Sequence, residues 1–509
     1  MISGQAGILA AIVIYLLAMV YVGFYFSKKG SGDSADDFYL GGRKLGPFVT
    51  AMSAEASDMS SWLLMGLPGV AYLTGIADAG WTAIGLGIGT YLNWLIVAQR
   101  LRRYSIVCNA ITIPDFFSRR FKDDKNILMC ISAIIILVFF IPYTASGFKA
   151  IGTLFSSLFG TDYHIAMIVG AVVIVGYTVM GGFMAVSTTD LIQSVVMSIS
   201  LVVIVFYGIH MAGGWSEVVN NATSLAGYLS ITQLHDRATA SAAPYGLLSI
   251  VSTVAWGLGY FGMPHILLRF MAIEEEKKLV LSRRIATVWV LISMCVAILI
   301  GIIGYGASVA GSIPMFTTSS QSETVIIQFA HLLGQNGFLL SLVAGVVLAG
   351  ILACTMSTAD SQLLTAASGV SQNLLQDFLK IKMSTAASMN AARLTVMGIA
   401  IVAVFLAWNS SVFTIVSFAW AGFGASFGPL VLFALFWRRT NMQGALAGMI
   451  TGGVMVFVWK YLVRPLGGNF NIYELLPAFV LSCLAIVIVS LLTKEPSKEI
   501  YDEFDSVGK

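Results

Sequence analysis

Apolar residues fall in long runs along this chain, separated by short polar stretches rich in lysine and arginine. The runs lie near 6–27, 47–72, 79–99, 126–156, 164–181, 186–212, 245–270, 282–310, 337–372, 391–408, 411–437, 441–464 and 473–493. A bilayer-spanning helix needs about 20 apolar residues. The pattern therefore predicts about thirteen transmembrane helices in an all-α polytopic membrane protein. The longest runs are expected to tilt or to extend past the bilayer.

Two of the runs are interrupted. The segment PFVTAMSAEASDMSSWLLMGLPG, from Pro47, carries Glu55 and Asp58 among Ser53, Ala54, Ala56, Ser57, Ser60 and Ser61. A carboxylate at mid-bilayer costs roughly 2.5–3.5 kcal/mol even on the lenient insertion scale. Small residues allow close helix packing, and hydroxyls satisfy backbone groups where a helix loosens. The segment reads as an ion or solute site; the plainer reading is a polar seam between helices. The second interruption is AWGLGYFGMPH at 255–265, with Gly257, Gly259, Gly262 and Pro264. Proline removes a backbone donor and the glycines favour unwinding. Counted from the first broken helix, this one is the sixth. Corresponding broken helices in two halves of a chain point to a transporter site at the repeat interface. A kink used for packing is the plainer alternative.

A third polar cluster, CTMSTADSQ at 354–362, falls in the eighth helix of that count. Ser357 and Thr358 are adjacent hydroxyls, and Asp360 follows. Hard cations prefer oxygen ligands of this kind. Asp190, near the start of the fifth helix, is readable as an ordinary carboxylate at a helix start.

Composition agrees with the helix pattern. The 509 residues are 58% hydrophobic and only 10% charged, with a mean hydropathy of +0.87. With the N-terminus outside, every second connection is cytoplasmic. Those connections then hold Lys28, Lys29, Arg43, Lys44, the Arg100–Lys125 cations, Arg269, Lys277, Lys278, Arg283, Arg284, Lys380, Lys382, Arg393, Arg438, Arg439, Lys494, Lys498 and Lys509. Only Lys149, Arg237, Lys460 and Arg464 of the 28 basic residues fall outside. By the positive-inside bias, the N-terminus is expected outside and the C-terminus in the cytoplasm. The five cysteines are scattered, with no spacing that suggests a disulfide framework or a zinc site. The first run is too long for a signal-peptide core and reads as a retained span. The tail KEPSKEIYDEFDSVGK is short and charged, and mobility is expected of it. No extramembrane segment is long enough for a catalytic domain, so an enzyme is not expected. An intramembrane aspartyl protease fails for want of a second aspartate in a catalytic motif, and a kinase sensor for want of an appended domain.

Several motifs fall in order on these helices: LGGRKLGPF at 40–48, SDMSSWLLMGLPG at 57–69, WGLGYFGMPHILLRFMA at 256–272, MSTADSQLL at 356–364 and AWAGFGASFGP at 419–429. Together they resemble the sodium/solute symporter family, and within it the bacterial sodium/proline symporters. The resemblance implies a LeuT-like five-plus-five inverted repeat with one helix before it and two after. The corresponding division is 1–46, a transport core at 47–437 (halves 47–212 and 245–437), 438–493 and a cytoplasmic tail at 494–509. It implies a sodium site of Ala56, Met59 and Cys354 carbonyls with Ser357 and Thr358 hydroxyls. It assigns Asp58 to sodium coupling and Asp190 to cation release; Glu55 and Asp360, read from the polar clusters themselves, are further candidates on the cation pathway. It places Ser60, Tyr143, Trp256, Tyr260, Met263 and Pro264 at the substrate cavity. Trp256 and Tyr260, four apart, are expected to share one helix face.

Two residues depart from the proline symporters. Met263 stands where they carry glutamine, and Glu55 where they carry a small or neutral residue. Loss of an amide removes a donor and an acceptor; Glu55 is expected to face position 263 and supply the missing polar contact. The implied function is sodium-coupled import of a small amino acid, with proline leading, by alternating access in a bacterial inner membrane. The alternatives are sodium- or proton-coupled uptake of another amino acid, a betaine-type osmolyte or a carboxylate, and, from another class, a channel or solute sensor. Sodium is the expected coupling ion. No organic cofactor, nucleic acid or obligatory protein partner is implied; the partners are the solute and the lipid bilayer.

Overall fold

A computed structural model describes residues 2–28, 35–408 and 412–508. Lys29 and Lys509, counted above among the cytoplasmic cations, lie outside the described residues. Within them the chain is a bundle of helices, with one two-stranded hairpin, Gln233–Asp236 with Ser241–Pro244.

Each apolar run forms helix, but the count by length and apolarity is lower than thirteen. Among the described residues ten helices are long and apolar enough to cross a membrane, eleven with the bent pair Leu247–Gly262 and Pro264–Ala272. The two that fall short do so for different reasons. The segment from Pro47 to Thr74 is diluted by its carboxylates and serines. The apolar stretch Tyr163–Gly176 is short, and Gly182, at φ 70°, breaks the long helix Tyr163–Met211 in two.

Both expected interruptions are present. The first helix runs Pro47–Ser61 and continues as a π turn at Trp62–Gly66 and a helix at Leu67–Thr74. Its break is at Ser60, whose φ is 48°. A non-glycine residue in that region costs of order 1–3 kcal/mol, and such strain clusters at functional sites. The second runs Leu247–Val254, winds tightly as 3₁₀ helix over Ala255–Gly262, and restarts at Pro264 with Met263 extended between the two parts. That tight winding corrects one expectation. In a 3₁₀ helix three residues make a turn, so residues four apart, Trp256 and Tyr260, do not share a face.

Glycine lets the second broken helix approach its neighbours. A Cβ on Gly257 would lie 2.1 Å from the Gly85 carbonyl oxygen of helix Ile76–Leu92. A Cβ on Gly259 would lie 1.9 Å from the Trp420 indole nitrogen. Backbone thus meets backbone at the site, as small residues permit in membranes.

The polar stretch near 213–244 is structured. It holds the helix Trp215–Ser224 and the hairpin, and Arg237 beside the hairpin donates to the carbonyls of Tyr72, Leu73 and Phe316. The tail is not the mobile segment expected. Lys498–Val507 is a helix capped by Ser497, and it buries Ile500, Phe504 and Val507. The amphipathic spacing 500, 504, 507 accounts for it. Phe504 lies under the guanidinium groups of Arg100 and Arg120, and Lys122 pairs with Glu503 and Glu499.

Candidate functional site

The break at Ser60 organises a buried polar centre. Asp58, two residues before it, is 4% exposed. Its Oδ2 accepts a hydrogen bond from the Tyr260 hydroxyl at 2.5 Å, across to the second broken helix. Its backbone carbonyl accepts from the Tyr143 hydroxyl at 3.2 Å. The Ser60 hydroxyl accepts from the Trp62 amide, which turns the side chain back onto the break. Asp58, which the resemblance assigns to sodium coupling, is thus brought together with Ser60, Tyr143 and Tyr260, which it assigns to the solute.

Beside this centre is a narrow, nearly closed cavity of about 10 Å³, lined by Asp58, Met59, Trp62, Leu86, Tyr143, Trp256, Val416 and Trp420. One carboxylate and one phenol face an otherwise apolar, aromatic slot. Trp62 stacks on Trp256 with centroids 5.9 Å apart, and Trp256 stacks on Tyr473 at 5.2 Å. Trp420 donates its indole N–H to the Trp256 carbonyl at 2.8 Å and so ties a second helix to the tightly wound segment. Trp62, Trp420 and Tyr473 were not singled out from the sequence. Trp62 lies within the quoted motif, but nothing in its spacing separates a cavity tryptophan from a packed one. Of the residues expected at the substrate cavity, Tyr143 and Trp256 line it; Ser60 and Tyr260 stand beside it through the contacts above, and Met263 and Pro264 are buried at the restart of the helix and do not line it.

A second group of oxygens converges next to the first break. Ser357 donates to the Ala56 carbonyl at 2.8 Å and approaches the Cys354 carbonyl at 3.2 Å. Thr358 also reaches the Cys354 carbonyl, at 3.2 Å. The Met59 carbonyl accepts the amide of Trp62 at the start of the π turn. Four of the five expected sodium ligands thus meet directly, Met59 lying three residues beyond Ala56 on the same broken helix. Carbonyls and hydroxyls of this kind suit a hard monovalent cation. Among the described residues no three His, Cys, Asp or Glu side chains gather as a metal site.

Below this group lies a buried ion pair. Arg269 was assigned above to a cytoplasmic connection; it is instead 1% exposed, inside the helix Pro264–Ala272. Its Nη2 lies 3.1 Å from Asp190 Oδ2 and 2.6 Å from the Ser361 hydroxyl, and its Nε lies 3.0 Å from the Ser53 hydroxyl. Ser53 donates in turn to Asp190 at 2.6 Å. Asp190 is thus no free helix-start carboxylate. The network ties both broken helices to the helices Tyr163–Met211 and Phe338–Ser368. Asp360, one residue before Ser361, is fully buried beside it. The arginine was legible only as a cation at the end of an apolar run, where a loop position is the usual explanation.

Glu55 does not turn toward position 263 for its hydrogen bonds. Its Oε1 accepts from the Trp94 indole at 2.8 Å and from the Thr90 hydroxyl at 3.0 Å, both on the helix Ile76–Val107. Asn93, between those two donors in sequence, gives its amide hydrogen to the Tyr260 carbonyl at 3.0 Å.

Comparison with known proteins identifies the family and the fold. The model of the sodium:solute symporter family matches residues 38–452. A sodium/proline symporter of Haemophilus influenzae is 42% identical over 98% of this chain and 97% of its own length. The osmoregulated proline transporter OpuE of Bacillus subtilis is 41% identical over 99% of this chain and 98% of its own. Among solved structures, a Na⁺-coupled sialic acid symporter in a substrate-bound outward-open state superposes with a TM-score of 0.76. It is 19% identical and covers 97% of this chain and 99% of its own. MhsT in complex with L-phenylalanine gives a TM-score of 0.51 at 12% identity, covering 87% and 97%. These likenesses show the inverted-repeat symporter fold expected from the motifs.

Proposed function

The chain belongs to the sodium:solute symporter family, and we propose that it imports L-proline together with sodium by alternating access. The observation that carries this reading is the sharing of one break by two sites. The carbonyl of Ala56 faces Ser357, and Asp58, two residues on, faces the aromatic cavity. An ion at the first changes the geometry of the second.

In this reading sodium is held by the carbonyls of Ala56, Met59 and Cys354 and the hydroxyls of Ser357 and Thr358. The solute lies against the aromatic lining that Trp62, Trp256 and Trp420 contribute, whose apolar surfaces suit a pyrrolidine ring. Its ammonium group lies at the polar end, beside Asp58 and the Tyr143 and Ser60 hydroxyls. Its carboxylate points toward the second broken helix, whose restart at Pro264 presents the positive end of a helix dipole. Asp190 serves cation release, with Asp360 next to it. Residues 47–437 form the transport core, 1–46 and 438–493 flank it, and the tail at 494–509 is cytoplasmic. The asymmetry of basic loops supports an external N-terminus and residence in a bacterial inner membrane.

Met263 supports keeping a second solute class in view, since the apolar side chain offers no hydrogen bond to a bound amino acid. Another amino acid or a betaine-type osmolyte would suit the same aromatic lining. A counterflow assay in proteoliposomes separates these readings. Labelled proline is expected to exchange against unlabelled proline, and less against betaine. Exchange with betaine alone overturns the proline assignment, and absence of any counterflow overturns the symporter mechanism.

A further inference from the structure

We propose a second sodium site, built by Glu55, Asp58 and Asn93, separate from the Ser357 and Thr358 hydroxyls. It rests on the symporter reading above. Three buried oxygens carry it: Glu55 Oε2, Asp58 Oδ1 and Asn93 Oδ1. Among the described residues none of them has a hydrogen-bond partner. The three side chains are 1%, 4% and 0% exposed.

Their other polar atoms are all committed, in one closed ring. Thr90 and Trp94 hold Glu55 Oε1. Asn93, on the same turn, donates to the Tyr260 carbonyl, and the Tyr260 hydroxyl donates to Asp58 Oδ2. Asp58 lies three residues after Glu55 on its helix, so both carboxyls face the same side. The ring leaves one acceptor on each of the three residues. All three are hard oxygens, and none belongs to a donor. A buried acceptor without a partner costs about 1–3 kcal/mol, more when charged. An ordered water would satisfy two of them but would leave the charge of the pair unmatched.

Charge balance points to a cation. Glu55 and Asp58 bring two buried carboxylates, and among the described residues no lysine or arginine pairs with either. Unpaired buried charge is strongly destabilising. The solute's ammonium group matches one of the two. A sodium ion among the three free oxygens matches the other, and it touches Asp58 from behind the solute cavity. Solute and second ion then meet at one carboxylate, which makes each strengthen the binding of the other. Glu55 and Asn93 are the specificity elements: with glycine or alanine at 55 the anionic partner is missing.

Equilibrium binding of radiolabelled sodium to the purified full-length protein tests this, with proline present. The wild type is expected to bind two ions per chain. Glu55→Gln keeps the acceptor for Thr90 and Trp94 and is expected to bind one. Asn93→Ala is expected to weaken one of the two ions tenfold or more, and it serves if Glu55→Gln does not fold. Ser357→Ala is expected to weaken the other ion. Two ions in Glu55→Gln, or a single ion in the wild type that Ser357→Ala alone weakens, overturns the second site and leaves the symporter reading standing. No sodium binding in the wild type overturns both.

Discussion

Ser357 donates its hydroxyl to the backbone carbonyl of Ala56 across 2.8 Å, from the helix Phe338–Ser368 to the first broken helix. That contact joins two helices, and in the proposed mechanism the broken one loosens during transport. A cation placed there takes over the Ala56 carbonyl and turns the hydroxyl's oxygen toward itself. Removing either hydroxyl, in Ser357→Ala or Thr358→Ala, is expected to raise the sodium concentration for half-maximal uptake by about tenfold, the loss of roughly 1.4 kcal/mol that one charge-assisted contact supplies. Uptake titrated with sodium at fixed proline checks it; unchanged sodium dependence in both variants removes the site assignment.

Trp256 offers its face to the cavity and its carbonyl to Trp420. Trp256→Ala is expected to weaken solute binding by about 1–3 kcal/mol, mainly as a raised KM with less change in the maximal rate. Tyr260→Phe keeps the ring and loses only the bond to Asp58, so its effect is expected on sodium dependence more than on solute selection. Kinetics of both variants in the same vesicles separate the two roles.

The Arg269–Asp190 pair is fully buried. Breaking a buried pair from one side costs roughly 3–5 kcal/mol, whereas replacing both partners by apolar groups is often neutral. Arg269→Met alone is expected to lower the melting temperature in detergent sharply, and Arg269→Met with Asp190→Leu to recover most of it. A double variant as unstable as the single one shows that the pair is not the source of the effect.

The C-terminal helix is held by Lys122 with Glu503 and Glu499, and by Phe504 against Arg100 and Arg120. The hydrogen bond that Lys122 donates to the Glu503 carboxylate raises its ammonium above its ordinary value, and partial burial opposes the shift. A raised cation stabilises docking fully below its unfolded value near 10.5 and loses that contribution as pH rises through the folded value. Limited proteolysis of the tail is therefore expected to accelerate in strongly alkaline buffer and in Phe504→Ala. Lys122→Met is expected to remove the alkaline dependence.

Much of this architecture was legible in the sequence because a bilayer writes it there. Backbone polar groups must be satisfied inside each span, so apolar length gives the helices, and serine, glycine and proline mark where they break. The Asp58 and Ser357 clusters stood out for the same reason: polar groups in lipid are conspicuous. What the sequence hid depends on what faces what. Arg269 reads as a loop cation until its partner Asp190 is found, 79 residues away. Glu55 reads as a replacement for a missing glutamine until Thr90 and Trp94 claim its oxygen. The tight winding of Ala255–Gly262 cancels a helical-face argument that assumed 3.6 residues per turn. The tail's amphipathic spacing was present but short, and its docking partners are dispersed cations.

In the proposed mechanism sodium, not a proton, drives solute through a cavity built on the break at Ser60. Uptake of labelled proline into proteoliposomes under an imposed inward sodium gradient measures this directly, with membrane potential clamped and a proton gradient as the control. Accumulation above equilibrium with sodium, abolished in Asp58→Asn and absent with the proton gradient alone, is the expected result. Accumulation driven equally by the proton gradient, or sodium-driven accumulation undiminished in Asp58→Asn, contradicts it.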